Sequence, residues 1–284
     1  MVESFFPDNL EKALELRQKK EIRPIAGGTD LMVRWRRPAG ILPAFSGDML
    51  FTKNIAEMNI LQKKDTCLYI GANTTLAQLI EWKWTPRLLR LALLEMAAPA
   101  VRNVGTIAGN ICNASPAGDT LPPLYALDAV VCLQGAAGIR ELPVSSFITG
   151  PGRTVLKRDE LLIGIKLFFP APDNDMVFYK KVAVRRAAAI AKISLAMRSS
   201  KKNGYVKTIA VAIGAVGPTV VRLPEIERLA EGKAVLNAEL LKTIYGEYDK
   251  FIQPIDDVRS TADYRRQTAR NLLHHVYDNC IKWN

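Results

Sequence analysis

The stretch from Val104 to Pro123 constrains this chain more than any other, because it holds three glycines, three prolines and a single charged residue, Asp119. A solvated loop is normally polar, since its backbone and side chains face water. An irregular segment without charge is therefore expected to lie against something, either the protein's own interior or a ligand. It begins with Gly105-Thr106-Ile107-Ala108-Gly109-Asn110, two glycines and a hydroxyl. A similar segment, Ile25-Ala26-Gly27-Gly28-Thr29-Asp30, closes a short apolar run that starts at Ile22. In both, glycine lets the backbone turn so that consecutive N–H groups can face an anion. The missing Cβ also lets a diphosphate approach to hydrogen-bonding distance. Neither segment matches G-x-G-x-x-G or G-x-x-x-x-G-K-[ST], so a bound nucleotide would not sit in Rossmann or P-loop geometry. Two ordinary turns are the alternative.

Asp119 is the second candidate. A lone carboxylate in apolar surroundings costs several kcal/mol unless it is hydrogen-bonded. It could accept from a sugar hydroxyl or a ring N–H of a cofactor. Equally, it could form an Asx-turn or cap a helix starting at Leu121. Lys180-Lys181 and Arg185-Arg186 lie on or beside an expected strand. Buried, one of these cations could face an electron-rich ring; exposed, they would protect a strand edge. Cysteines at 67, 112, 132 and 280 show no C-x-x-C spacing. His274 and His275 are adjacent on an expected helix, so they diverge by about 100° and cannot share a metal. No metal site, hydrolytic triad or other catalytic residue is expected.

With 49% hydrophobic and 24% charged residues in a chain of 284, the composition is globular and suits one large or two modest domains. No apolar run approaches the ~20 residues of a membrane helix. Met1 to Pro7 has neither the basic start nor the apolar run of a signal peptide. A cytoplasmic protein without membrane insertion is expected. The net charge of +11 is compatible with nucleic acid, an anionic membrane, a phosphate-bearing ligand or acidic partner proteins. Arg34-Trp35-Arg36-Arg37 pairs basic residues with an aromatic, yet no second stacking platform is evident nearby, so nucleic-acid binding is not expected.

Periodicity and caps predict a helix from Leu10 after Asp8-Asn9, a strand at Ile22–Ile25, loop from Arg36 to Phe51 and a strand at Cys67–Gly71. Helices follow Thr74-Thr75 and Pro86, the latter ending before Pro99. Strands are expected at Ala129–Leu133 and Leu161–Phe169. Asn203-Gly204 predicts a hairpin between Ile190–Arg198 and Tyr205–Gly214. Helices at Pro224–Ala230, Ala238–Tyr248 and Thr261 to about Tyr277 close the chain, the last capped within Ser260-Thr261-Ala262-Asp263. Pro170-Ala171-Pro172-Asp173 marks the expected boundary between a glycine-loop half and a hairpin-plus-helix half.

Several motifs occur in a recognisable order: Ala26-Gly27-Gly28-Thr29-Asp30-Leu31, Val101 through Pro116, Asp119 with Leu121-Pro122-Pro123-Leu124, Thr149-Gly150-Pro151-Gly152, and Ser260 through Arg266. On these residues the chain resembles, over essentially its whole length, the FAD-binding (medium) subunits of molybdenum hydroxylases of the xanthine dehydrogenase and carbon monoxide dehydrogenase type. The resemblance implies an α+β fold. Residues 1–172 would form a FAD-binding domain of the vanillyl-alcohol-oxidase (PCMH) type, with subdomains of about 1–56 and 57–172. Residues 173–284 would form a C-terminal domain of antiparallel strands and helices. It implies that Ile25, Ala26, Gly27, Gly28, Thr29, Asp30 and Leu31 form one diphosphate loop, and Thr106, Ile107, Ala108, Gly109 and Asn110 the other. Asp119 matches an acidic flavin contact, Ile163 an apolar one and Lys181 a basic one, with Lys180 selected instead by a slip of one residue.

Two departures from the family stand out. Ala108 replaces a frequent glycine, so a weaker grip is expected if that position needs positive φ. Ile41 to Lys53 is irregular where relatives carry a strand. The implied partners are a 2Fe–2S subunit and a molybdopterin-binding subunit, with electrons passing through FAD to NAD+ or another acceptor. A stand-alone FAD oxidase is the alternative within the fold; a cofactor-free basic nucleic-acid-binding protein is the alternative outside it.

Overall fold

The computed structural model describes residues 2–42, 44–45, 47–168, 176–185 and 188–280, without the side chains of 279 and 280. The chain forms two compact units that interleave along the sequence. The first comprises Met1–Trp84, Ala98–Ala114 and Ala129–Phe169; the second comprises Thr85–Ala97, Ser115–Asp128 and Pro170–Asn284.

The first unit opens with β1 (Ser4–Phe5), α1 (Leu10–Lys19), β2 (Ile22–Ile25), α2 (Leu31–Arg34) and β3 (Asp48–Phe51). Asn9 caps α1 by accepting from the Lys12 N–H at 2.9 Å, and the helix buries Leu10, Ala13 and Leu14. Strand β3 lies between β1 and β2, parallel to both, with Leu50 fully buried. An antiparallel sheet follows in the order β4 (Leu61–Lys64), β5 (Cys67–Gly71), β10 (Leu161–Phe168), β6 (Val130–Gly135) and β7 (Gly138–Pro143). Helices α3 (Leu76–Glu81), α5 (Pro99–Arg102), α6 (Ile107–Asn113) and α8 (Val144–Phe147) and the ribbon β8–β9 (Ile148–Gly150, Arg153–Thr154) complete the unit. Thr75 and Gln78 form a reciprocal capping box on α3. The buried Arg17 of α1 donates to the carbonyls of Ile22, Lys157 and Glu160, fastening the start of β2 to the segment that leads into β10.

The second unit contains α4 (Arg87–Glu95), α7 (Leu121–Ala126), the antiparallel sheet β11 (Met176–Val182), β12 (Ile193–Lys202) and β13 (Tyr205–Gly214), and helices α9 (Pro224–Glu227), α10 (Ala238–Phe251) and α11 (Ala262–His275). Asn203 and Gly204 take φ of 54° and 82°. Two successive positive φ values match the right-handed twist of a two-residue hairpin, which is why Asn-Gly is favoured there. Leu195, Val211 and Ile213 pack in one core with Ile244 and Tyr248 of α10 and with Leu273 and Tyr277. Full burial of each aliphatic side chain contributes about 2 kcal/mol. Glu227, buried in this unit, accepts from the Val211 N–H at 2.7 Å and from Arg222, whose guanidinium also reaches Asp128 and the Tyr125 carbonyl.

The α+β class, the Asn203-Gly204 hairpin and the Thr261 cap on α11 agree with the sequence reading. Two expectations change. The loop expected from Arg36 to Phe51 ends in β3, a strand of four residues that exists because it is paired along both edges. Half of the stretch from Val104 to Pro123 is helical, with Thr106 capping α6 and prolines in the first turn of α7, where a missing N–H costs little. The expected boundary at Pro170–Asp173, and Arg186, lie outside the described residues. Among the described residues no helix is long and apolar enough to cross a membrane.

Candidate functional site

In the first unit, β2 runs directly into the first glycine segment. The Ile25 carbonyl accepts from the Thr52 N–H at 2.9 Å, and Thr52 in turn is bonded to Asn73 at 2.8 Å. Past Ile25 the chain leaves the sheet. Gly28 takes φ +66°, and its carbonyl accepts from the Met32 N–H at 2.8 Å to begin α2. Among the described residues, the backbone N–H groups of Gly27, Gly28, Thr29 and Asp30 donate to no protein acceptor. A positive φ within such a row curves the donors toward one point, as in an anion-binding nest. The Asp30 side chain does not cap α2; it pairs with Arg34 at 3.3 Å on the exposed side.

Gly27 is required for a different reason. A Cβ there would stand 2.0 Å from the Val104 carbonyl oxygen. The first segment is therefore seated directly on the chain entering the second, and these two segments come together within one unit. The second segment differs in chemistry from the first. The N–H groups of Ile107 and Ala108 donate to the carbonyls of Thr74 and Ala72, and that of Gly109 donates to the Thr106 hydroxyl at 3.1 Å. The expected second row of free N–H groups is thus used up in packing, because the segment is the capped start of a helix. Ala108 is buried in the first turn of α6 and is not among the residues with positive φ, so an alanine methyl fits its backbone.

Ile163 sits on β10 at an irregularity in the β10–β6 ladder, where Leu162 pairs with Leu133 and Gly164 with Cys132. The unpaired extra residue of such a bulge re-aims its neighbours. The Ile163 carbonyl accepts from Ala72 N–H at 3.0 Å and from the Tyr69 hydroxyl at 3.2 Å, and its side chain is buried.

The second unit holds the charged candidates. Asp119 precedes α7 and neither caps it nor forms an Asx-turn. Its Oδ2 accepts from Lys181 Nζ at 2.7 Å, with side chains 8% and 3% exposed. Lys181 also donates to the Glu95 carbonyl at 3.1 Å. Alternation along β11 turns Tyr179 and Lys181 inward and Lys180 outward, which decides between the two lysines for this pair. Burial pushes the Asp119 carboxyl up to about 6, against the pull of Lys181 and Tyr179. Asp119 Oδ1 has no hydrogen-bond partner among the described residues. Neither Tyr179 nor the Glu95 carbonyl was visible as part of this cluster in the sequence; for Tyr179, the period-2 match with Lys181 was the available signal.

Other candidates resolve into structure. Trp35 stacks with Phe45 and lies under Arg23, so its ring is already in use. His274 packs on Tyr245 and His275 on Phe178, on different faces of α11. Among the described residues no group of three His, Cys, Asp or Glu side chains gathers to hold a metal.

Residues 1–171 match the family model described as the FAD binding domain in molybdopterin dehydrogenase, and residues 178–280 match the CO dehydrogenase flavoprotein C-terminal domain. The chain belongs to the FAD-binding molybdopterin dehydrogenase family. The putative xanthine dehydrogenase FAD-binding subunit of Escherichia coli (strain K12) is 30% identical over 278 residues, covering 94% of this chain and 91% of that protein. The glyceraldehyde dehydrogenase medium chain of Sulfolobus acidocaldarius is 33% identical over 275 residues, covering 95% of each. A solved structure of carbon monoxide dehydrogenase from Hydrogenophaga pseudoflava, in a form lacking the Mo-pyranopterin moiety, superposes with a TM-score of 0.86 at 26% identity, covering 96% of this chain and 94% of that one. As a member of the FAD-binding molybdopterin dehydrogenase family, the chain is the flavoprotein component of an oxidoreductase, with FAD as its cofactor.

Proposed function

We propose that this chain is the electron-transferring FAD subunit of a molybdenum hydroxylase complex. In this reading a molybdopterin-binding subunit oxidises the substrate and a 2Fe–2S subunit relays the electrons to this chain. NAD+ or another acceptor then takes them away. The subunit part of this reading is supported by relatives named as FAD subunits of dehydrogenases, among them the nicotinate dehydrogenase FAD-subunit of Eubacterium barkeri. Residues 1–172 act as the FAD-binding domain, with subdomains of about 1–56 and 57–172, and residues 173–284 as the C-terminal domain.

The observation that carries the reading is the row of free N–H groups from Gly27 to Asp30. A diphosphate is the anion that suits it, because neutral backbone donors can stabilise two negative charges without a buried cation. Thr106 to Asn110 follow the Val104–Gly105 backbone on which Gly27 packs, and are the second segment of the diphosphate site in this reading. Asp119, Ile163 and Lys181 serve the flavin end, and the unpartnered Asp119 Oδ1 fits a donor from the cofactor. FAD, when bound, supplies a centre that takes electrons singly or in pairs and releases them as a hydride or singly. The chain's own residues bind and orient it and hold charge near it. No side chain of this chain acts as a general base or nucleophile.

The test is a visible spectrum and FAD titration of the purified full chain. Flavin absorption with stoichiometric uptake supports the reading, and co-purification of an iron–sulfur and a molybdenum subunit extends it to the complex. A colourless protein that takes up no FAD overturns it. FAD uptake with turnover of a small substrate by this chain alone would favour the stand-alone oxidase.

A further inference from the structure

Asn73 lies outside both glycine segments, yet a short chain of buried hydrogen bonds links its side chain to the first. Asn73 and Thr52 are 6% and 2% exposed. Asn73 Nδ2 donates to the Thr52 carbonyl at 2.7 Å, and the Thr52 hydroxyl donates to Asn73 Oδ1 at 2.8 Å. A carbonyl can only accept, so this pairing fixes which way the amide faces. The Thr52 N–H then holds the Ile25 carbonyl at 2.9 Å, where the chain leaves β2 for Gly27 and Gly28. On either side of Asn73 the backbone serves the second segment. The Ala72 and Thr74 carbonyls accept from the Ala108 and Ile107 N–H groups at 3.4 and 3.0 Å. Residues 72–74 thus tie to both segments, to one through a side chain and to the other through the main chain. The seat of Gly27 on the Val104 carbonyl leaves little slack between the segments, since even a methyl group would not fit there. Both polar ends of the Asn73 amide are paired, and a displacement would leave a buried polar group unsatisfied, which keeps the network rigid.

We propose that Asn73 is a positioning residue for the cofactor's diphosphate. Through Thr52 and Ile25 it fixes where the row of N–H groups from Gly27 to Asp30 stands relative to the second segment. This rests on the FAD reading, in which the two segments share one diphosphate. Asn73 itself touches no phosphate. Donors held in place before binding lose less conformational freedom when the anion arrives, so a fixed row binds more tightly than a loose one.

The test compares the wild-type full chain with Asn73→Ala, Thr52→Val, Thr52→Ser and the double variant Asn73→Ala with Thr52→Val. FAD affinity is measured by titration, and the surroundings of the bound diphosphate by its phosphorus NMR resonances. Asn73→Ala and Thr52→Val are each expected to weaken FAD binding roughly five- to tenfold, on the scale of one hydrogen bond. Both shift the phosphorus resonances, while the visible absorption maxima, which report the flavin ring, stay where they are in wild type. Thr52→Ser keeps the hydroxyl and binds FAD as wild type does. In the Asn73→Ala background, Thr52→Val costs little more, because the two side chains act as one unit. Lower thermal stability of the FAD-free variants, with unchanged affinity and phosphorus resonances, would overturn the proposal and leave Asn73 a purely structural contact. Fully additive losses in the double variant would overturn it as well. Should Asn73→Ala not fold, Thr52→Val against Thr52→Ser decides the question by the same two readouts. Failure of wild type to take up FAD would overturn the cofactor reading itself.

Discussion

Lys181 Nζ stands 2.7 Å from Asp119 Oδ2, with both side chains almost wholly withdrawn from solvent. The two residues lie far apart in sequence, one before α7 and the other on β11. Removing one partner of such a pair strands the other charge in the interior. Lys181→Met is therefore expected to destabilise the protein by about 3–5 kcal/mol at neutral pH, whereas Lys180→Met changes it by less than about 0.5 kcal/mol. Urea unfolding of the two variants makes the comparison, and equal effects would contradict the inward orientation of Lys181.

Asp119 makes stability depend on pH in an unusual direction for a carboxylate. Its folded pKa, about 6, lies above the ordinary 3.8 because burial outweighs its partners. The native state thus holds a proton that the unfolded chain has released. The contribution is fully present below pH 3.8 and is lost as pH rises through about 6, amounting to about 3 kcal/mol. Asp119→Asn should flatten this part of the stability profile. A profile with the same slope in wild type and variant would show that another group is responsible.

Gly27→Ala should weaken FAD binding by at least about tenfold, because the new methyl would meet the Val104 carbonyl and push the row of N–H groups out of place. The measurement is a flavin titration, with circular dichroism to confirm that the remaining fold is kept. Full affinity in this variant would separate the row from the diphosphate.

Thr106→Ala should cost about 1 kcal/mol, since its hydroxyl accepts from the Gly109 N–H and caps α6. Thr106→Ser should restore most of that loss in thermal unfolding. An alanine variant as stable as wild type would mean that the carbonyls of Thr74 and Ala72 hold this turn unaided.

Much of the local structure was legible because it depends on residues close together in the chain. Asn9, Thr75 and Thr261 cap helices through bonds spanning three residues. Asn203-Gly204 supports two positive φ values that few other dipeptides accept. Strand β3 was not legible. Asp48 to Phe51 carries no period long enough to signal a strand, and its backbone groups are satisfied only because β1 and β2 arrive from elsewhere. The same limit applies to the second glycine segment: its N–H groups are occupied by the carbonyls of Thr74 and Ala72, which no local pattern announces.

The uncharged stretch from Val104 to Pro123 and the two glycine segments were set by composition and order, and with them the family and its cofactor. Sterics act residue by residue, so a glycine that must turn or leave room is visible in the sequence alone. What only tertiary structure decided is which donors stay free and which charges meet. Among the described residues nothing accepts from the N–H groups of Gly27 to Asp30, and Lys181 rather than Lys180 finds Asp119 because β11 turns that face inward. Hydrogen bonds and ion pairs act over a few ångströms, and only the folded chain brings distant residues that close.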